Sequence, residues 1–223
     1  VERDLYREVC RYTEWVWRSV RNKPGKEAAG FAMTILKKRL MSSPEALRCS
    51  LETRLETLSE EPVPVDAKRG LIADYRAGVP LTDVQKEKAE RDLLSAAFDP
   101  DKERPRIQAL LQMARQVTPA KDTKATALKR ALTKLFGSAS DEKVIIFTEY
   151  RDTLKYLLDN VLLPEYEGKV ALLYGGMSRK QRKEAERRFH RPETRILLAT
   201  DAASEGLNLQ RDCHIVIHYE LPW

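Results

Sequence analysis

The chain contains no apolar run approaching ~18 residues, the length a membrane-crossing helix needs, so no membrane span and no membrane partner is expected. Cysteine is scarce: Cys10, Cys49 and Cys213 are odd in number and far apart. They make neither a disulfide framework nor a metal-binding spacing, which fits a reducing cytoplasm, the expected compartment. Histidine is equally sparse. His214 and His218 fall at the two ends of an expected strand, and no metal site is expected from them or from His190. The N-terminus, Val1-Glu2-Arg3-Asp4, has no starting methionine and no apolar signal core, and reads as excised from a longer polypeptide.

What the chain has in quantity is charge. Charged residues make up 33% of it, with a net charge of +6 and a pI near 9.2. That balance favours an anionic partner, but charge alone does not separate a nucleic-acid binder from a basic protein that binds nothing.

Residues 1 to about 58 read as helices. Leu5, Val9, Tyr12, Val16 and Val20 draw one apolar stripe at three-to-four spacing, broken by Pro24-Gly25. A second stripe runs through Met33, Leu36 and Leu40. Ser43-Pro44 reads as an N-cap with proline at the first helical position, and Leu47, Leu51, Leu55 and Leu58 supply a third buried face. Trp15 and Trp17 lie on different faces of the first helix, so at least one should meet another segment. Residues 59–105 read as an insertion or connector, with Glu60-Glu61-Pro62-Val63-Pro64 as a linker and a polar helix from about Asp83 to Ala97. Asp99-Pro100 and Arg104-Pro105 read as further breaks. Helical periodicity resumes at Ile107, Leu110 and Leu111. It returns through Ala125, Leu128, Leu132 and Leu135, ending with Gly137 as the residue beyond the helix.

Near residue 140 the rhythm changes. Val144–Phe147 is a short β-branched run suited to a strand covered on both faces. Leu154, Leu157, Leu158 and Val161 mark a helix stopped by Pro164. A strand over Val170–Tyr174 leads into Gly175-Gly176, and Ser178 with Gln181 forms a capping box for a helix to about His190. Ile196–Ala199 and Ile215–Ile217 are further strands. Units of this length imply a parallel α/β sheet with crossover helices, and hence ligand binding at the carboxyl ends of the strands. The division expected is a helical region over 1–140, with its connector, followed by an α/β domain over 141–223.

Thr148, Gly175-Gly176 and Thr200-Asp201 stand at those strand ends. A threonine there offers a hydroxyl and an amide to a phosphate oxygen, and glycine lets backbone approach closely. Each turn alone is more readily an ordinary strand-to-helix turn, where Gly, Ser and Thr are common. The helix after Gly176 changes the balance: from Arg179 to Arg195 there are eight basic residues against three acidic ones. Solvated helix faces mix signs more evenly, so this strip is a candidate track for a nucleic-acid backbone.

These segments resemble an ordered motif set. Lys143-Val144-Ile145-Ile146-Phe147-Thr148-Glu149-Tyr150 resembles motif IV of superfamily 2 helicases, and Gly175-Gly176-Met177-Ser178 with Arg182 and Phe189 resembles motif IVa. Leu198 through Gln210 looks like motif V. Tyr219-Glu220-Leu221-Pro222-Trp223 is most similar to the Snf2-like branch, and within it to bacterial members related to RapA. Ala32–Pro44 resembles the region joining the two lobes in those proteins. The resemblance covers about residues 27–58 and 121–223. It implies a RecA-like second helicase lobe, truncated, in an ATP-dependent translocase that acts on nucleic acid, expected to be duplex DNA, with a first lobe as partner. Carried over residue by residue, Thr200, Thr148 and Gly176 would hold phosphates of the tracked strand, with Arg182 along the same path. Gly206 and Asn208 would face ATP. Asp201 and Glu205 would organise the loop or couple it to the first lobe.

The departures matter as much. There is no G-x-x-x-x-G-K-[ST] and no Asp-Glu box after a strand, so neither a triphosphate cradle nor a Mg²⁺ carboxylate is identifiable. The chain stops before motif VI would supply arginine fingers. No catalytic residue is therefore expected in this chain; ATP and Mg²⁺ belong to the complete protein, and the chain alone should not hydrolyse ATP. Arg179 stands where relatives often carry Gln, and Asn208 where some branches have Asp. The competing reading is a non-catalytic scaffold or regulatory nucleic-acid-binding module that kept a helicase-lobe fold. RNA remains open beside DNA, because phosphate contacts do not report the sugar. A doubly wound domain for an unrelated cofactor lacks its G-x-G-x-x-G.

Overall fold

The computed structural model describes residues 1–22, 26–58, 70, 72–73, 82–95, 99–137, 141–203, 209 and 213–220. The chain divides into two units, Val1–Leu81 with Gln85–Thr118, and Thr82–Val84 with Pro119–Trp223. The expected breaks at Pro24-Gly25 and Glu60–Pro64 lie outside the described residues.

The first unit is helical. Helices α1 (Glu2–Val20), α2 (Lys26–Ser42) and α3 (Pro44–Thr57) carry the three expected stripes. Their inward residues, among them Val9, Val16, Leu36, Leu47 and Leu51, join one apolar core. Ser43 caps α3 as read from sequence: its hydroxyl accepts from the Ala46 N–H at 3.0 Å, and Pro44 opens the helix. Both tryptophans meet other segments. Arg106 stacks over the Trp15 ring, and Trp17 covers Gly30, where a methyl group would lie 2.7 Å from the indole.

Helix α4 spans Asp83–Leu94, within the polar helix expected there. Helix α5 (Pro100–Arg115) corrects the sequence reading. Asp99 is its N-cap and Pro100 its first residue, while Pro105 lies inside it rather than breaking it. Proline there forfeits one intrahelical bond. Burial of Ile107, Leu110, Leu111 and Ala114 on the far side of it holds the helix continuous.

The polar centre of this unit is unusual. Arg54 and Glu103 are both 0% exposed and ion-paired. Arg54 Nε also meets Tyr12 Oη at 2.8 Å, Arg54 Nη1 donates to the Leu94 carbonyl at 2.5 Å, and the Tyr12 hydroxyl donates to Glu103. Burial would lower the arginine's pKa, but Tyr12 and Glu103 beside it raise it, so it stays charged.

The second unit is built on a four-stranded, all-parallel sheet in the order β2-β3-β1-β4, with β1 Val144–Thr148, β2 Val170–Leu173, β3 Ile196–Thr200 and β4 Ile215–His218. Alternate side chains point to opposite faces. Val144, Ile146, Ile196 and Leu198 pack with Ala125, Leu128 and Leu132 of α6 (Thr123–Gly137) and with Leu154 and Leu157 of α7 (Arg151–Leu157). Ile145, Ala171, Leu173, Leu197 and Ala199 pack with Ala185 and Phe189 of α8 (Arg179–His190). Two covered faces explain why β1, β2 and β3 read as continuous apolar runs, while edge strand β4 leaves Val216 exposed.

Two expected helix ends shift. Gly137 is the last residue of α6, not the one beyond it. Pro164 does not stop the helix begun at Arg151. The chain widens into a π-turn at Leu158–Leu162, in which the Leu163 N–H reaches back to the Leu158 carbonyl, and then turns helically through Tyr166. The wider turn accommodates the proline ring where a regular α-turn would clash with it.

Candidate nucleic-acid interface at the strand ends

Parallel register brings the carboxyl ends of the strands level. Thr148 and Thr200 are paired positions on neighbouring strands, Leu173 pairs with Ala199, and Phe147 pairs with His218. The turns that follow, Glu149-Tyr150, Gly175-Gly176, Asp201–Ala203 and Tyr219-Glu220, therefore share one edge of the sheet. Thr148, Gly176, Arg182, Thr200 and Asp201 are all on or beside this edge. Glu205, Gly206 and Asn208 lie outside the described residues.

Gly175 and Thr200 form a small cradle of donors. The Gly175 N–H points to Thr200 Oγ1 at 3.2 Å and, more closely, to Asp83 Oδ2 at 2.6 Å. The Thr200 hydroxyl donates to the same Asp83 oxygen at 2.7 Å. Gly175 is required by close approach: a Cβ there would stand 2.6 Å from Asp83 Cγ. Gly176 has φ +95°, a conformation open to glycine and strained for other residues.

Thr148 holds a second carboxylate. Its hydroxyl donates to Glu220 Oε1 at 2.9 Å, and the Glu149 N–H donates to Glu220 Oε2 at 3.1 Å. The strand ends thus offer amide and hydroxyl donors to oxyanions at two neighbouring places.

The basic helix α8 rises directly from the glycine turn. Its capping box is complete: the Gln181 N–H donates to Ser178 Oγ at 3.3 Å, and the Ser178 N–H to Gln181 Oε1 at 2.8 Å. Ala185 and Phe189 face the core, whereas Arg179, Lys180, Lys183, Arg187 and Arg188 are exposed. Arg182 is half-buried and donates to the Ala203 carbonyl at 2.8 Å, so its guanidinium clasps the start of the loop after β3. At the other end, the ammonium of buried Lys143 donates to the carbonyls of Phe189 and, at 2.8 Å, Arg191, a cation at a helix C-terminus.

Sequence reasoning missed Asp83 and Glu220. Glu220 could have been found, since it follows the fourth strand and the strand-end rule applies to it. Nothing in the sequence ties Asp83 to a turn 92 residues later.

Residues 124–223 match the helicase conserved C-terminal domain. The chain is 29% identical over its whole length to the uncharacterized ATP-dependent helicase YqhH of Bacillus subtilis, covering 30% of that protein. Over 79 residues it is 34% identical to the DEAD-box ATP-dependent RNA helicase 35B of Oryza sativa subsp. japonica, covering 35% of this chain and 12% of that one. Among solved structures, the Hef helicase domain of Pyrococcus furiosus aligns with a TM-score of 0.46 at 21% identity, over 88% of this chain and 33% of the other. The chain spans less than a third of the length of these curated relatives. Residues 124–223 thus combine a parallel sheet, glycine- and threonine-bearing turns at its strand ends and a match to the helicase conserved C-terminal domain, which is the family this part of the chain is similar to.

Proposed function

We propose that this chain carries the second lobe, preceded by the helical first unit, of an ATP-driven translocase of the Snf2-like kind that moves on duplex DNA. The observation that carries the reading is that the Gly175 amide, the Thr200 hydroxyl and the first turn of the basic helix α8, with exposed Arg179 and Lys180, share one sheet edge. Amide and hydroxyl donors suit single phosphate oxygens, and a cationic strip beside them suits the rest of a backbone. In this reading Thr200, Thr148 and Gly176 meet phosphates, and Arg182 shapes the path by holding the Ala203 carbonyl. Asp201 and Glu205 are assigned to organising the loop or coupling it to a first lobe, and Gly206 and Asn208 to ATP. The cradle for the triphosphate and its Mg²⁺ comes from a first lobe, because this sequence contains no P-loop and no Asp-Glu box. Catalysis of phosphoryl transfer is not assigned to any residue of this chain.

The test is fluorescence anisotropy with labelled duplex DNA, single-stranded DNA and duplex RNA across a salt series. Duplex DNA is expected to bind most tightly, with a Kd on the order of micromolar at low salt. The log–log salt slope should be roughly −3, as for three or four phosphates. Preference for duplex RNA would reassign the rail. Failure of all three to bind at low salt would favour the scaffold reading.

A further inference from the structure

The cradle between Gly175 and Thr200 is occupied by the protein itself. Asp83 opens α4, yet Thr82–Val84 group with the second unit, and its side chain is buried, 4% exposed. One carboxylate oxygen takes both donors that the cradle offers, the amide at 2.6 Å and the hydroxyl at 2.7 Å. Val84 Cγ2 lies 3.4 Å from where a Cβ of Gly176 would stand, so the same short segment covers both glycines of the turn.

A carboxylate oxygen and a phosphate oxygen ask for the same things: negative charge met by N–H and O–H donors at hydrogen-bonding distance. Burying a carboxylate against dipoles alone is costly. Among the described residues, no lysine or arginine pairs with Asp83. A structural carboxylate would be better served by one of the many cations of α8. What Asp83 satisfies instead is the geometry of an oxyanion site.

We propose that Asp83 is an internal phosphate mimic: it fills the site of one backbone phosphate and must leave before nucleic acid can seat there. This rests on the reading of the Gly175–Thr200 cradle as a phosphate contact. Its consequence is autoinhibition by mass action, since the apparent affinity falls in proportion to the fraction of molecules with the cradle open. The connector that carries Asp83 thereby regulates the lobe to which it is joined.

The test compares Asp83→Ala, Asp83→Asn, Thr200→Val and the Asp83→Ala/Thr200→Val double variant of the 223-residue chain, with Glu193→Gln as a control. Glu193 is exposed and lies in the same basic stretch, so its neutralisation removes one charge without touching the cradle. Labelled duplex DNA at one low salt concentration is the probe, read by anisotropy. Asp83→Ala is expected to bind about tenfold more tightly than the parent chain, and Glu193→Gln less than about twofold. Asp83→Asn, which keeps the shape but not the charge, should fall between them and guards against a folding defect in the alanine variant. Thr200→Val should cancel most of the gain. Equal gains from Asp83→Ala and Glu193→Gln would reduce the effect to net charge and overturn the proposal. If Thr200→Val weakens the parent chain while Asp83→Ala changes nothing, the cradle is a phosphate site that Asp83 does not guard. If Thr200→Val has no effect in either background, the cradle reading itself falls, and the mimic with it.

Discussion

The hydroxyl of Thr148 donates to Glu220 across 2.9 Å, joining the end of β1 to the turn after β4. Glu220 also receives the Glu149 N–H, so one carboxylate satisfies two donors, and Thr148 is buried. Removing the acceptor strands both. Glu220→Ala is expected to destabilise the second unit by about 1–3 kcal/mol, and Glu220→Gln by less, because the amide oxygen still accepts. Urea denaturation followed by far-UV circular dichroism measures this. Identical midpoints for the alanine variant and the parent would show that water replaces the carboxylate without loss.

Arg54 and Glu103 form a fully buried ion pair in the first unit. Taking away one member leaves an uncompensated charge in the core, so Arg54→Met is expected to cost about 3–5 kcal/mol. The double variant Arg54→Met/Glu103→Leu should be the more stable of the two, since no charge remains buried. A double-mutant cycle in urea reads the coupling directly. Additive losses would mean that the pair contributes no coupling energy.

Tyr12 gives a pH dependence of definite sign. Burial, foremost, together with neighbouring Glu103, pushes its phenol above the ordinary value of 10.0, while nearby Arg54 opposes this. The fold therefore keeps the neutral phenol. The stabilisation is fully present below the unfolded-state value and is lost as the pH rises above it. Stability should decline above about pH 10, and Tyr12→Phe should flatten that decline. Urea midpoints at a series of alkaline pH values test it; parallel declines in the two proteins would contradict the assignment.

Arg182 separates positioning from charge. Its guanidinium holds the Ala203 carbonyl, whereas Arg187 on the same helix is exposed and, among the described residues, makes a long 3.9 Å contact with Glu184. Lysine keeps the charge at either place but not the forked donor geometry. Arg182→Lys is expected to weaken duplex binding by roughly two- to tenfold, the worth of about one hydrogen bond, and Arg187→Lys to leave it unchanged. Equal effects in an anisotropy titration would make Arg182 one more surface cation.

Local signals were the legible part of the sequence. The Ser43 cap, the Ser178–Gln181 box and the apolar runs of β1 and β3 depend on residues within a few positions of one another, and they form as read. The placement of Thr148, Gly176 and Thr200 on one edge followed from the alternation of strands and helices. The proline readings failed where burial further along a helix outweighed a lost hydrogen bond, at Pro105, or where the backbone widened to admit the ring, at Pro164. The two carboxylates at the strand ends stayed hidden for another reason. Their partners lie 71 to 117 residues away in sequence, and an acidic residue at the start of a polar helix looks the same whether it faces water or a buried amide.

Helix α8 is fastened at both tips, by the Ser178–Gln181 box at one and by Lys143 under its last carbonyls at the other. Helix ends ordinarily fray, and a pull on their side chains is spent in unwinding the last turn. Here a tug on the arginines passes into β1, because Lys143 immediately precedes that strand. In mechanical terms the basic strip behaves as a stiff cog rather than a spring. In the proposed motor, a step of the rail and a shift of the sheet would then be nearly the same length, with little slack lost between them.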